Sequence, residues 1–300
     1  MRPISPDLRA IGVGIRDRTL AWLLISPTLV VLIALSIFPV FYLAKVAFQT
    51  GGGEEPHWSL GNFTRLLTDG FFRSALLHTF IYAAAALTAE FLFGLGLALL
   101  VDRPLRGRSV LRSLLLVPMM LPPVVVGVIW RLMLNPDFGA VNGTLRSVGI
   151  PTDVLTWTAS PTLAMVSVIA VDVWQWTPFM FLILLAGLQA IPDEPYEAAT
   201  IDGASSWQAF RDITLPLLRP AILVALMLRT MDLLRVFDHI FILTEGGPGF
   251  STETVSLYIF RSAFRFFDLG YAAAMSLVLL ILTNAISFGY IRFLDRRERA

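Results

Sequence analysis

From Leu20 to Ala44 the chain runs without one charged residue, longer than the roughly 20 apolar residues that cross a ~30 Å hydrocarbon layer at ~1.5 Å per helical residue. It also exceeds the roughly 7 to 15 residues of a signal-peptide core, and no clear small-residue cleavage site follows. The stretch therefore reads as a retained membrane span. By the same criterion, further spans are predicted at Thr79–Val101, Ser113–Leu134, Thr162–Leu188, Ala221–Leu243 and Leu269–Ile291. An all-α integral membrane protein with six transmembrane helices is the expected fold class.

Composition agrees. Apolar residues make up 56% and charged residues 15% of the chain, against about a quarter charged in soluble domains. A net charge of +1, with arginines scattered through short loops, argues against a nucleic-acid partner. The absence of cysteine excludes disulfides, thiolate metal ligands and cysteine nucleophiles. Compartment has to be read from topology instead.

Six spans place both termini on one side. Arg2, Arg9, Arg16 and Arg18 precede the first span, Arg103, Arg106, Arg108 and Arg112 fill the second connection, and Arg296, Arg297 and Arg299 end the chain, so that side is expected to be cytoplasmic. The sequence divides into a cytoplasmic tail (1–19), a transmembrane domain (20–295) and a short cytoplasmic tail (296–300). The opposite loops, Gly51–Glu55, Asn135–Gly143 and Leu243–Thr254, carry the glycine, proline and Asn-Gly pairs of turns. Asn62-Phe63-Thr64 and Asn142-Gly143-Thr144 match a glycosylation pattern, although plain turn chemistry is the preferred reading. No repeat of 20 to 50 residues is visible.

One polar insertion, Tyr196–Pro216, stands between the fourth and fifth spans on the arginine-rich side. Pro192 and Asp193 stop the fourth span, and Asp193 is expected to cap a short helix bearing Glu194, Pro195 and Glu197 in its first turn. Gly203 ends or bends that helix. Ser205 with Gln208 fits a capping box for a second helix, along which Trp207, Phe210, Ile213 and Leu217 recur at helical spacing before Pro216 and Pro220 separate it from the next span. Small residues gather at the junction beside the acids Glu197 and Asp202. Local chemistry leaves two readings open, a docking knob for another protein and an interfacial hairpin that packs Trp207 and Phe210 on lipid.

The run E-A-A, three residues, then G-A and a proline after I-T-L resembles the cytoplasmic coupling motif of binding-protein-dependent ABC importer permeases, through Glu197, Ala198, Ala199, Asp202, Gly203, Ala204, Phe210, Ile213, Leu215 and Pro216. WSLGNF (Trp58–Phe63), LPPVVVGVIWRLMLNPDFGAVN (Leu121–Asn142), LLAGLQAIP (Leu184–Pro192) and FDHIFILTEGGPG (Phe237–Gly249) resemble the carbohydrate-uptake branch, the permease type of maltose, glycerol-phosphate and polyol importers. The resemblance spans about residues 20–295. It implies a type I ABC importer permease fold in a bacterial-type inner membrane, with a coupling segment at 191–220 that fits a cleft on an ATPase. Glu197 would orient the coupling helix and Gly203 would allow its bend. The implied partners are a second homologous permease, two ATPase subunits and an extracytoplasmic solute-binding protein. ATP and Mg2+ would belong to the ATPase, since this chain has no G-x-x-x-x-G-K-[ST] phosphate loop. No cofactor, metal or catalytic residue of its own is expected.

Charges inside the predicted spans are the other candidates. Glu90, Asp172 and Asp232 fall near the middles of the second, fourth and fifth spans, where each would cost about 2.5 to 3.5 kcal/mol on a lone helix. They should face a cavity or a partner. Arg229, Asp232, Arg235 and Asp238 follow at steps of three with His239 adjacent, and at ~100° per residue they cannot share one narrow face. Either some line the translocation path and bind substrate, with Arg229 and Asp232 the better candidates, or they neutralise one another and pin spans together. Arg235, Phe237 and Asp238 resemble a recurrent family pattern, which favours a gating or structural role for them. Trp174 and Trp176 beside Asp172 are candidate cavity walls, while Trp130 suits an interfacial anchor. Pro118, Pro122 and Pro123 break the third span, and the freed carbonyls need a protein-buried or water-lined setting.

A self-sufficient secondary carrier is the main alternative, yet the mitochondrial type would show three similar repeats of about 100 residues. An intramembrane hydrolase would need a glycine-flanked serine or an HExxH site. His57, His78 and His239 sit in neither setting. A purely structural membrane protein leaves Tyr196–Pro216 unexplained.

Overall fold

The computed structural model describes residues 15–50, 57–102, 107–152 and 155–298, with side chains from 20 to 292. Gly51–Glu55, Arg2, Arg9, Arg103, Arg106 and Arg299, with the side chains of Arg16, Arg18, Arg296 and Arg297, lie outside these limits. In chain order the helices are α1 (Ile15–Leu32), α2 (Phe38–Ala47), α3 (Gly61–Thr68), α4 (Gly70–Asp102), α5 (Arg108–Met120), α6 (Pro123–Met133), α7 (Ala140–Ser147), α8 (Pro161–Gln189), α9 (Glu194–Ile201), α10 (Ser206–Ala209), α11 (Leu215–Leu233), α12 (Asp238–Leu243), α13 (Val255–Phe264) and α14 (Leu269–Glu298). A two-residue antiparallel pair, Gln49–Thr50 with His57–Trp58, is the sheet among the described residues.

The central contact is α4 on α8. Along α4 the buried positions are Phe72, Ala75, Thr79, Tyr82, Ala83, Ala86, Glu90, Gly94, Ala98 and Val101, a three-and-four spacing that keeps one stripe inward. Alanine and glycine dominate it, so the backbones approach closely, as helices do where no water drives them together. A Cβ on Gly94 would stand 2.6 Å from that of Met180, and one on Gly187 of α8 would stand 2.6 Å from that of Ala221. Three clusters follow the bundle's length. Ala98, Val101, Phe181, Leu184, Leu188, Leu218 and Ile222 fill the end nearest α9. Tyr82, Ala86, Val168, Val171, Leu233, Ile240 and Leu257 fill the middle. Phe72, Ala75, Val255, Tyr271 and Met275 fill the far end, with α2 and α3.

Among the described residues, five helices are long and apolar enough to span a membrane: Leu20–Ala47, Gly70–Asp102, Pro161–Gln189, Ser206–Leu233 and Leu269–Arg292. The predicted third span is instead two helices, α5 and α6, bent by 95°. Leu121 and Pro122 between them are extended, with ψ of 136° and 137°, as a residue preceding proline prefers. The carbonyl freed there is not left bare, because the buried Gln175 amide of α8 donates to Leu121 O at 2.9 Å.

The fifth span also differs from expectation. It ends at Leu233, and Asp238–Leu243 forms the separate α12, with Phe237 at φ −142° between them. Arg229, Asp232, Arg235 and Asp238 therefore do not lie on one helix. At its other end the span absorbs the second helix of the polar insertion: α10, a π turn at Phe210–Thr214 and α11 form one run, Ser206–Leu233. Pro216 and Pro220 do not separate them. A proline ring presses on the carbonyl four residues back, here that of Asp212, and the wider π turn makes room for it. The π turn Ile33–Ile37 stands in the same relation to Pro39.

Candidate functional site

At the cytoplasmic end predicted from the arginines, α9 and α10 project as a hairpin. Asp193 occupies the N-cap of α9 but sits at φ −78°, ψ −24° with no side-chain cap bond; a helical ψ turns its carboxylate away from the first amides, and the sequence expectation is corrected there. Ser205 does form the capping box, its hydroxyl accepting from Gln208 N while Gln208 Oε1 accepts from Ser205 N at 2.8 Å. Gly203 takes φ +75°, the left-handed conformation that lets a helix end and reverse. Tyr196 ties α9 back to the bundle by a 2.9 Å hydroxyl contact with Thr214. Beyond that, α9 and α10 bury none of their own residues. Glu197, Ala198, Asp202, Gly203 and Ala204 are exposed, with Ala199 half-buried between them, and Ile201 and Trp207 are 87% and 66% exposed.

In the bundle's middle, three of the candidate charges converge. The Arg229 guanidinium of α11 donates from Nε and Nη2 to the two oxygens of Glu90 on α4, at 2.7 and 2.6 Å, and from Nη2 to Asp172 on α8 at 2.8 Å. Side-chain exposure is 2%, 0% and 2% for Arg229, Glu90 and Asp172. The paired fork is the strong geometry for a guanidinium and a carboxylate. Two carboxyl groups share this one guanidinium, and His239 of α12 stands 3.6 Å from the other oxygen of Asp172 and 2.8 Å from the Tyr82 hydroxyl. Sequence marks His239 as the neighbour of the charge run, whereas Tyr82 is not singled out there. The signal was that Tyr82 lies two turns from Glu90 on the same inward stripe.

Asp232 does not join this cluster. It lies near the end of α11, about half exposed, and pairs with Arg235 at 3.3 Å; the helix stops one residue later, so the sequence had placed it too deep. Beside the cluster opens a cavity of about 290 Å3 lined by Asp172, Trp176, Arg229, Asp232, Arg235, Asp238 and His239. Trp176 faces Arg229, its ring 5.0 Å from the guanidinium carbon. Trp174 points elsewhere, 39% exposed and edge-on to Trp130 at 5.5 Å. The arrangement offers a polar, aromatic-sided cavity whose inner wall is cross-braced over three helices.

Both glycosylation-like asparagines have structural work. Asn62 is buried and donates to Ala47 O and Gln49 O, each at 3.0 Å. Asn142, also buried, donates to Pro136 O at 3.1 Å and accepts from Trp157 at 2.7 Å.

The profile of the family described as binding-protein-dependent transport system inner membrane component matches residues 90–300. The chain is 39% identical to the trehalose/maltose transport system permease protein of Thermococcus litoralis, over 92% of this chain and 94% of that one. It is 35% identical to the sulfoquinovosyl glycerol permease protein of Agrobacterium fabrum (94% and 92% covered) and 33% identical to the trehalose permease protein of Mycobacterium tuberculosis (94% and 90% covered). Its fold matches a chain of a bacterial ABC transporter that imports the acidic polysaccharide alginate, with a TM-score of 0.83 at 24% identity over 94% and 97% of the two chains. With an exposed polar hairpin, a charge-braced bundle and this likeness along nearly its whole length, the chain belongs to the family of inner membrane components of binding-protein-dependent transport systems.

Proposed function

We propose that this permease passes a sugar, polyol or related hydroxylated solute from an extracytoplasmic binding protein, working beside a second homologous permease and driven by two ATPase subunits that hold ATP and Mg2+. The observation that carries the coupling is the α9–α10 hairpin. A polar-edged knob that leaves Ile201 and Trp207 uncovered has the composition of a docking surface rather than of a finished one. Glu197 and Asp202 supply polar contacts on its rim, and Gly203 supplies the reversal. The carbohydrate branch is supported by relatives whose names specify trehalose, maltose and a sulfoquinovosyl glycerol. The passage runs through the cavity at Trp176, Asp232 and Asp238; Arg229, Glu90 and Asp172 brace its wall, and Arg235 with Asp238 act at its edge as gating or structural groups. Both termini are cytoplasmic in this reading, and the tails at 1–19 and 296–300 flank one transport domain.

Because the chain has no cysteine, Ile201→Cys introduces a unique thiol. In the co-purified complex it is expected to cross-link to the ATPase and to no other subunit. A complex that lacks an ATPase, or a thiol that labels freely in the assembled transporter, would overturn the coupling assignment. An amino acid, peptide or metal as the tight ligand of the cognate binding protein would overturn the carbohydrate assignment.

A further inference from the structure

At the end of the bundle remote from the coupling hairpin lies a second cavity of about 390 Å3, within the roughly 300–1,000 Å3 of small-molecule sites. Its walls come from Arg65 of α3, the start of α4, the loop before α13, α13 itself, and Phe266 and Asp268 just after it. The Phe71 and Phe250 rings meet edge to face at 5.6 Å, and the Arg261 guanidinium lies 4.9 Å from the centre of Phe250. Glu253 lines this cavity and is 5% exposed. One of its oxygens accepts from Arg261 at 3.0 Å, while Oε1, fully buried, has no hydrogen-bond partner. Ser74 and Ser262 also line the cavity.

Buried carboxylate oxygens are rarely left unpaired, and an unpaired one marks a place where a donor is wanted. The backbone of this wall is also strained. Among the described residues, the non-glycine positions with positive φ are Glu245 (50°), Phe250 (64°) and Phe267 (56°), of which Phe250 lines the cavity. Such strain persists only where the surroundings hold it, and it concentrates at ligand sites. Phe250, one of the three, presents a half-exposed ring to the cavity.

We infer that this cavity is an outer subsite for a pyranose ring, with Phe71 and Phe250 against the ring's C–H surface and a sugar hydroxyl donating to Glu253 Oε1. The inference rests on the carbohydrate reading above. A hydrocarbon tail would use none of the polar groups, and a lone cationic side chain would use only the carboxylate. A hydroxylated ring uses carboxylate, serine hydroxyls and guanidinium together, because each of its hydroxyls both donates and accepts.

The test is saturation-transfer NMR on the assembled permease–ATPase complex in lipid nanodiscs without binding protein, with maltose, trehalose and lactose as probes. At least one probe is expected to bind the native complex. At pH 8 its affinity should fall about tenfold in Glu253→Gln, the loss of a hydrogen bond to a charged acceptor, and also in Ser74→Trp, which fills the cavity from an exposed helical position. Gly96→Ala, where an added Cβ on α4 meets nothing within 4 Å, should leave the signal intact. No binding by any probe, or equal binding by both cavity variants, overturns the subsite. Weaker docking of the binding protein in Glu253→Gln without a sugar signal in the native complex also overturns it and assigns the cavity to a protein side chain. ATP-driven uptake of the three sugars into vesicles separates the two readings: uptake with an empty outer cavity refutes the subsite alone, whereas failure of uptake for every sugar counts against the carbohydrate assignment.

Discussion

Arg229 grips Glu90 through two parallel hydrogen bonds, 2.7 and 2.6 Å long, between helices that are 139 residues apart in sequence. The pair joins α11 to α4, and the third bond to Asp172 brings in α8. Replacing Arg229 by Met leaves two buried carboxyl groups without their cation, a change of about 3–5 kcal/mol when one partner of a buried pair is lost. The expected outcome is a markedly lower unfolding temperature of the detergent-solubilised complex. Arg229→Met combined with Glu90→Gln and Asp172→Asn should recover much of it, since the neutral trio can pack without an unpaired charge. Equal unfolding temperatures for native protein and Arg229→Met would refute the bracing role.

Gly203 gives the hairpin a different kind of sensitivity. A side chain there meets no atom within 4 Å, yet its φ is +75°, so the penalty is conformational, about 1–2 kcal/mol for an ordinary residue in the left-handed region. Asn tolerates that region and Val does not. Gly203→Asn is therefore expected to retain most solute-stimulated ATP hydrolysis in the assembled transporter, and Gly203→Val to lose most of it while the subunits still co-purify. Equal activity of the two variants would remove backbone geometry as the explanation.

Much of this was readable in the chain, and the exceptions have physical causes. The span at Leu20 is legible because charge is absent from it, and the hairpin at Gly203 because its cap and reversal are local chemistry. Hydropathy could not see the end of α11, since the residues from Leu234 to Leu243 stay mostly apolar while the backbone turns at Phe237. That is why Asp232 was placed deep and Arg229 beside it. Glu90, Asp172 and Arg229 were each visible as charges in need of partners, but the choice among partners depends on helix rotation and depth, which no single span encodes. The outer cavity escaped for a similar reason: Phe71, Glu253 and Arg261 approach only when the start of α4 meets α13.

Two glycines on α4 make a matched pair for the packing argument. A Cβ on Gly94 would stand 2.6 Å from Met180 Cβ and 3.1 Å from the Phe181 backbone nitrogen, whereas one on Gly96 meets nothing within 4 Å. Overpacking a tight contact costs typically 1–3 kcal/mol, and relief here would require α4 and α8 to separate. Gly94→Ala is expected to lower the unfolding temperature and Gly96→Ala to leave it unchanged or raise it slightly, as alanine favours helix. The reverse order would show that α4 and α8 do not meet through Gly94.

Glu253 gives a pH signature that can be measured away from transport. Burial raises its pKa, the Arg261 and Arg265 guanidinium groups lower it, and burial prevails, leaving it at about 7. In the unfolded chain a glutamate titrates near 4.3. Between those values the folded state holds a proton that the unfolded state has released, so stability falls as pH rises through this window. Its contribution is fully present below the unfolded pKa and is lost once pH passes about 7. The unfolding temperature of the native complex is therefore expected to decline from about pH 5 to pH 8 more steeply than that of Glu253→Gln, which cannot ionise. The difference between the two curves should be flat above pH 8, where Glu253 is charged in both states. Parallel curves across the whole range would mean that Glu253 is already ionised in the folded protein at low pH and that its buried oxygen has found a donor.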